Sequence, residues 1–327
     1  MLLVALVPPS IDPAGAPALY GSFLGAGWSV QAFTSQDAVP DDVAAEMDAV
    51  LASAPLTVDA RLLRRAPKLK LVQVIGHGFD HVCLEDARAA GVPVCTITSS
   101  RAEAHTVAEM TILLAGVASR RVIDGDVFVR GGNWGQMAML QRGVFELAGK
   151  TIGIIGFGHI GHEVAKRARA FDMRVLYHDR TRAEVNAEQA LGVEFRELDA
   201  LLSESDIVSL HVPLTPQTRG LIGTAALARM KSTAVLVNTA RGPIVNAAAL
   251  ASALREGRLR AAAIDVFDSE PPRADDPLRQ APNCVFSPHV AGATAESVMR
   301  ILAAALENCK RVGRGEPPHD VIGVDEG

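Results

Sequence analysis

Thr151–Gly161 reads TIGIIGFGHIG. Its first five residues are mostly β-branched and read as a buried parallel strand. Gly156-Phe157-Gly158-His159-Ile160-Gly161 follows at once and fits G-x-G-x-x-G. Ile160, Val164 and Ala168 then recur at helical spacing, so a helix opens at the glycines. The first glycine permits the tight turn, the second lets backbone approach a pyrophosphate, and the third lets helix pack close to strand. The unpaired N–H groups and positive dipole end of that helix suit phosphates. A second strand, Arg174–His178, ends at Asp179. A carboxylate about 20 residues on is placed to accept from a ribose 2′-OH. The stretch reads as a dinucleotide-binding unit contacting its ligand through Gly156, Gly158, Gly161 and Asp179. The plain alternative is a tight strand–helix turn with no ligand.

A chain of 327 residues has room for two α/β domains. A net charge of -5, with no block of lysine and arginine, argues against a nucleic-acid partner. Cys83, Cys95, Cys284 and Cys309 lack metal-ligand spacing, so no metal site is expected. They read as free thiols in a reducing cytoplasm. The opening MLLVALVPPS resembles a signal-peptide core but lacks the basic flank, and reads as a first core strand. No apolar run reaches membrane-span length, so no membrane partner is expected.

Strands are expected at 2–7, 30–33, 49–52, 69–75 and 92–97, with helical stretches at 17–27, 41–47, 59–66 and 84–90 between them. After the glycine loop the alternation resumes, with strands at 206–211, 234–239, 262–266 and 284–287 and helices at 197–202, 224–229 and 247–256. This rhythm gives an α/β fold with parallel sheets covered by helices on both faces. Ala102–Ser119 reads as one long, mostly buried helix. His105 and Glu109 lie on it at helical spacing and read as a structural pair rather than a catalytic one. Asp124–Arg142 reads as a loop-rich excursion, Ala295–Gly313 as a closing helix, and Glu316–Gly327 as a loosely ordered tail.

Three polar residues follow successive strands of the second set: Arg241 in NTARGPIV, Glu270 in IDVFDSEPP and His289 in SPHVAGAT. Ligands of open α/β sheets bind beyond these carboxyl ends. Arginine offers a planar fork for a carboxylate and can polarise a carbonyl. Histidine exchanges protons near neutral pH, and a neighbouring carboxylate fixes its tautomer and favours the imidazolium. Singly each residue is more often structural; together, beside a dinucleotide site, they form a catalytic constellation. Gly76-His77-Gly78 ends an earlier strand and is either an anion-holding turn or a plain one.

The chain resembles the D-isomer-specific 2-hydroxyacid dehydrogenase family over nearly its whole length. The resemblance rests on GFGHIG, HVPLTPQTRGLI from His211, NTARGPIVNAAAL from Asn238, AAAIDVFDSEPP from Ala261 and SPHVAGAT from Ser287, in register. It implies an NAD-dependent enzyme, with NADP possible, interconverting a small 2-oxo acid and a D-2-hydroxy acid. Arg241 would bind the substrate, His289 act as acid and base, and Glu270 hold His289. Gly76, His77 and Gly78 would form the substrate-carboxylate turn, with His77 standing where many relatives carry a small residue. Cofactor contacts are implied for Thr106, His159, Ile160, Arg180, His211, Val212, Pro213, Thr218, Thr239, Ala240, Asp265 and Gly292, besides Arg241, His289 and the glycine-loop residues. Arg180 and Arg182 would favour a 2′-phosphate while Asp179 opposes one.

The resemblance also implies two Rossmann-like or flavodoxin-like parallel-sheet domains. A discontinuous substrate domain would take residues 1–101 and 295–327, and a nucleotide domain residues 102–294. The site would lie in the cleft, closing over substrate. A homodimer is implied, with Trp134 reaching a neighbour's site. Glu270 in place of the glutamine usual in formate dehydrogenases argues against formate. No regulatory domain is expected after the last helix. Glyoxylate, hydroxypyruvate and larger 2-oxo acids stay open, as do a phosphite-type dehydrogenase and an NAD(H)-sensing, corepressor-like binding protein.

Overall fold

A computed structural model describes residues 1–8 and 11–323, so Pro9 and Ser10 of the opening stretch lie outside the described residues. The chain forms two compact units, one of Met1–Glu103 with the stretch from Thr294 onward, the other of Ala104–Ala293.

In the first unit, short runs of valine, leucine and alanine make β1 (Leu2–Leu6), β2 (Ser29–Phe33), β3 (Ala49–Ala52), β4 (Leu71–Val74) and β5 (Val94–Cys95). They pair in parallel in the order β2-β1-β3-β4-β5. Side chains alternate between two cores, as strand geometry requires. Leu3, Ala5 and Leu51 meet Tyr20 and, from the helix Ala295–Gly313, Ile301, Leu302 and Leu306. Val4, Leu6 and Val50 face the other way, onto Leu62 and Ala87. The closing helix starts with a capping box: Thr294 Oγ1 accepts from Ser297 N at 3.1 Å, and Ser297 Oγ accepts from Thr294 N at 2.7 Å.

The tail is better held than its composition suggests. Asp320 accepts from Ser99 N and Oγ at 2.9 and 2.8 Å, and Ile322 N donates to Val94 O at 2.9 Å. Val321 bridges Cys95 antiparallel. β5 is an edge strand whose free backbone groups need partners, and the tail supplies them. Residues 324–327 of the expected tail lie outside the described residues.

The second unit holds β6 (Thr151–Ile155), β7 (Arg174–His178), β8 (Val193–Phe195), β9 (Ile207–Leu210), β10 (Val235–Asn238), β11 (Ala261–Ile264) and β12 (Cys284–Phe286). They pair in the order β12-β11-β10-β9-β6-β7-β8, parallel throughout. The chain leaves β6 toward β7 and returns to its other side at β9, so a crevice opens between the ends of β6 and β9. Gly153 in β6 leaves room for the helix Leu198–Glu204: a Cβ there would come within 2.2 Å of Ser205 Oγ and 2.5 Å of Leu201.

Two parts of this unit depart from expectation. β8 and the helix Val185–Leu191 fall where no element was expected. The stretch Asp124–Arg142, expected to be loop-rich, is largely helical, as Val122–Arg130 and Gln136–Gln141. Its apolar residues Val127, Val129 and Met137 face outward, so the period of a core-facing helix is missing from the sequence.

His105 and Glu109 do not pair with each other. Both lie on the helix Ala104–Arg120 and reach across to the helix His159–Ala170, His105 Nδ1 to Glu163 at 3.0 Å and Glu109 to Arg167 at 3.1 Å. Burial pushes the Glu163 carboxyl up. Hydrogen bonds from Lys166 (2.6 Å) and Arg167 (2.7 Å), with the charges of Lys166 and His105, outweigh it and hold the group at about 2 against an ordinary 4.5. A depressed value means the stabilisation is complete above the unfolded value and is lost as pH falls toward the folded one. Urea unfolding of Glu163→Gln should therefore show a loss of about 2 kcal/mol at neutral pH, allowing for solvent screening. Wild type and variant should converge as pH falls from 4.5 toward 2. A pH-independent difference would refute the linkage.

Candidate active site

Register places the site. Ile155 pairs with Leu210, so Gly156 emerges beside His211. Gly156 has φ +94°, and a Cβ on it would stand 2.4 Å from His211 O. A Cβ on Gly161 would stand 2.4 Å from Gly156 O. Both glycines are thus required by close backbone approach. Gly158 differs, since nothing lies within 4 Å of where its Cβ would be. It is the N-cap of the helix His159–Ala170 and has no side chain to cap it, so the space beside the first turn is left open at Gly158. That open space at a helix N-terminus fits a pyrophosphate. His159 and Ile160 open the same turn.

Asp179, just beyond β7, accepts from Phe157 N at 2.6 Å and Arg180 N at 2.7 Å. It thereby ties the glycine loop to the neighbouring strand and leaves its remaining lone pairs for ribose hydroxyls. Arg182 is held by Glu188 through Nε and Nη2, both at 2.8 Å, and lies over the Phe195 ring. It is therefore committed elsewhere and is not poised for a 2′-phosphate. Arg180 is exposed.

On the other side of the crevice, His211 is kept neutral: burial pushes it down to about 3, and Nε2 lies 2.7 Å from Ser209 Oγ. Thr218 Oγ1 donates to Pro213 O at 2.6 Å and shapes the loop that carries Val212. Thr239 is buried and meets Thr111 at 3.0 Å, one helical turn and a residue beyond the buried Thr106.

β10, β11 and β12 end level, Asn238 opposite Ile264 and Ile264 opposite Phe286. Asn238 fastens the next loop, donating to Arg241 O at 2.9 Å and accepting from Ala240 N at 3.0 Å. Gly242 lets that loop lie against the following one, for a Cβ on it would fall 2.1 Å from the Phe267 carbonyl carbon. Arg241 also donates to Ala240 O at 2.8 Å. Asp265, fully buried, accepts from Ser287 Oγ at 2.5 Å and from Val290 N and Ala291 N at 3.0 Å each. Its carbonyl accepts from His289 N at 2.8 Å. These bonds hold His289 at φ +53°, a left-handed conformation that a free histidine seldom adopts. Gly292 follows in the same turn.

His289 Nδ1 lies 2.5 Å from Glu270 Oε2, and Glu270 Oε1 accepts from Phe267 N at 3.0 Å. Burial pushes the Glu270 carboxyl up. The hydrogen bond and charge of His289, the Phe267 N–H and the charge of Arg241 outweigh burial and hold it below its ordinary value. A cavity of about 470 Å³ adjoins the pair, walled by Phe267, Pro271, Pro272, Arg279, Phe286 and Pro288. Asn238 and Ser287 were not singled out from sequence; the available signal was a polar residue at the last or first position past an otherwise apolar strand. In the first unit, Gly76 turns at φ +108° after β4, and His77 Nδ1 contacts Glu103.

A family model described as D-isomer specific 2-hydroxyacid dehydrogenase, NAD binding domain, matches residues 111–291. The chain belongs to this family. The dehydrogenase is 44% identical to the glyoxylate reductase of Aeropyrum pernix over 284 residues, which is 85% of this chain and 84% of that protein. It resembles the D-lactate dehydrogenase of Aquifex aeolicus, solved with NAD and lactic acid, at 30% identity and a TM-score of 0.83, covering 97% of this chain and 96% of that one. It also resembles the NAD-dependent formate dehydrogenase of Staphylococcus aureus, solved with NAD, at 31% identity and a TM-score of 0.86, with 99% of each chain covered. The dehydrogenase is an NAD-dependent oxidoreductase interconverting 2-oxo and 2-hydroxy acids. Among the described residues no helix is long and apolar enough to cross a membrane.

Asp179 repels a 2′-phosphate, and Glu188 withdraws Arg182 from one. NADH should therefore be used at least about tenfold more efficiently than NADPH in matched kcat/KM assays, the scale of one charge-assisted contact. Equal efficiencies would show that Arg180 alone offsets the carboxylate.

Proposed function

We propose that the dehydrogenase reduces a small 2-oxo acid of the glyoxylate type and catalyses the reverse oxidation. The observation that carries this reading is the His289–Glu270 hydrogen bond at 2.5 Å, with the Arg241 charge acting on the same glutamate. A nicotinamide held there would supply or accept the hydride. Arg241 binds the substrate carboxylate and draws electron density from the carbonyl. Hydride arriving at carbon 2 leaves negative charge on oxygen, so a proton must be delivered there. His289 delivers it from Nε2, because Nδ1 is engaged by Glu270. Ionised Glu270 holds the ring and stabilises its charged form. The turn Gly76–Gly78 receives the substrate carboxylate on backbone N–H groups. The glycine loop, with Asp179, Thr106 and the segments at His211, Thr239, Asp265 and Gly292, holds the dinucleotide. Four free cysteines fit a reducing cytoplasm.

Reduction requires a protonated donor and oxidation a neutral acceptor. The reductive rate with glyoxylate and NADH should therefore fall as pH rises, and the oxidative rate should climb. Glu270→Gln retains a hydrogen-bonding side chain but removes the charge, so both midpoints should move to lower pH. Midpoints that stay in place would separate Glu270 from the proton transfer.

We also propose a homodimer. Leu113, Val122, Ile123, Val127 and Val129 are each at least half exposed on consecutive helices, and Trp134 beside them is 86% exposed. Apolar surface on that scale is characteristic of an interface. Light scattering should give twice 34.5 kDa. Val127→Glu should shift the mass to the monomer; a wild-type monomer at micromolar concentration sinks the proposal.

A further inference from the structure

We propose that Glu188 is a positioning residue for cofactor choice: it cancels the charge of Arg182, and without the Glu188 charge Arg180 and Arg182 form a site for a ribose 2′-phosphate. The inference rests on the reading of Asp179 as the acceptor for the ribose hydroxyls. Glu188 holds Arg182 bidentately, through Nε and Nη2 at 2.8 Å each. It is itself fixed in place, since the Tyr177 hydroxyl donates to Glu188 Oε1 at 2.6 Å and accepts from Ala183 N at 2.9 Å. The Glu188 side chain is 8% exposed and that of Arg182 58%, so a buried acid underlies a guanidinium that faces solvent. Hydrogen bonds from Arg182 and Tyr177 outweigh burial and hold the Glu188 carboxyl at about 2, so the acid is ionised and the pair neutral near pH 7. A neutral pair attracts a phosphate far less than a lone guanidinium does. The location suits a 2′-phosphate. Arg182 follows Asp179 by three residues, a span of at most about 11 Å. Tyr177 also stacks on Phe157 at 4.0 Å, and Phe157 N donates to Asp179 at 2.6 Å, so one chain of contacts runs from the ribose acceptor to Glu188. Arg180, beside Asp179, is exposed.

A tie that only joins the helix Val185–Leu191 to β7 would change stability and leave 2′-phosphate discrimination alone. The test is calorimetric binding of adenosine 2′,5′-bisphosphate, the 2′-phosphorylated end of NADPH, against AMP. Wild type should bind the bisphosphate no more tightly than AMP, a measurement that needs no variant to fold. Glu188→Gln keeps the shape and removes the charge. It should tighten the bisphosphate about tenfold, the scale of one charge-assisted contact, and leave AMP within about threefold. Adding Arg182→Ala should abolish the gain. A wild type that prefers the bisphosphate, a Glu188→Gln variant that does not tighten it, or a gain that survives the loss of Arg182 overturns the inference. Asp179→Asn tests the underlying reading, since removing that charge should tighten the bisphosphate whatever Glu188 does. If it does so while Glu188→Gln has no effect, the role of Glu188 alone fails. If neither variant changes binding, the ribose is not held at Asp179 and the inference falls with that reading.

Discussion

Parallel pairing obliges β6, β9, β10, β11 and β12 to finish along one edge of their sheet, and everything chemical in the second unit follows from that edge. The strands are mostly apolar and pair within the ladder, and their polar side chains Ser209 and Asn238 serve the loops beyond them. The loops after them are polar, and register sets them level. Close backbone contacts then fix their spacing: Gly156 against His211 O and Gly242 against Phe267 each admit no side chain. A residue larger than glycine at either place would separate loops that have to meet.

Buried polar side chains hold the loops where the glycines let them approach. Asp265 bonds Ser287, Val290 and Ala291, Asn238 spans Ala240 to Arg241, and Asp179 clamps Phe157. Each is a buried or half-buried acceptor satisfied by backbone or hydroxyl donors, which is the condition for tolerating such a group inside a protein. Their effect is to aim side chains they never touch. His289 keeps its left-handed backbone because Asp265 grips both sides of it, and that backbone presents the ring to Glu270.

Electrostatics divides the charged residues into two groups. Glu163 and Glu188 are neutralised by arginine or lysine and drawn down to about 2, which locks helices and strands together. Glu270 takes His289 as its side-chain partner, and that contact, with the Phe267 N–H and the Arg241 charge, holds its carboxyl below the ordinary value against burial. The same carboxylate chemistry therefore ties elements together through lysine and arginine in one setting and fixes a histidine ring in the other, according to the partner.

Local pattern in the sequence was enough for the strands with uninterrupted apolar runs, for the strand–glycine–helix unit at Thr151–Gly161, and for the position of Arg241, Glu270 and His289 just past strand ends. These features depend on residues within a few positions of one another, where period and turn chemistry operate. Packing across the chain decided the rest. The tail from Glu316 lies against β5 because an edge strand lacks partners, which no property of the tail itself announces. His105 bonds Glu163 rather than Glu109, and Arg182 bonds Glu188 rather than remaining open, because separate elements bring those charges within reach. Val122–Arg130 is helical although its apolar side chains face outward, so its period does not point to the core of its own unit. A residue's partner is a property of the folded arrangement, and the local sequence carries only the residue's capacity to take one.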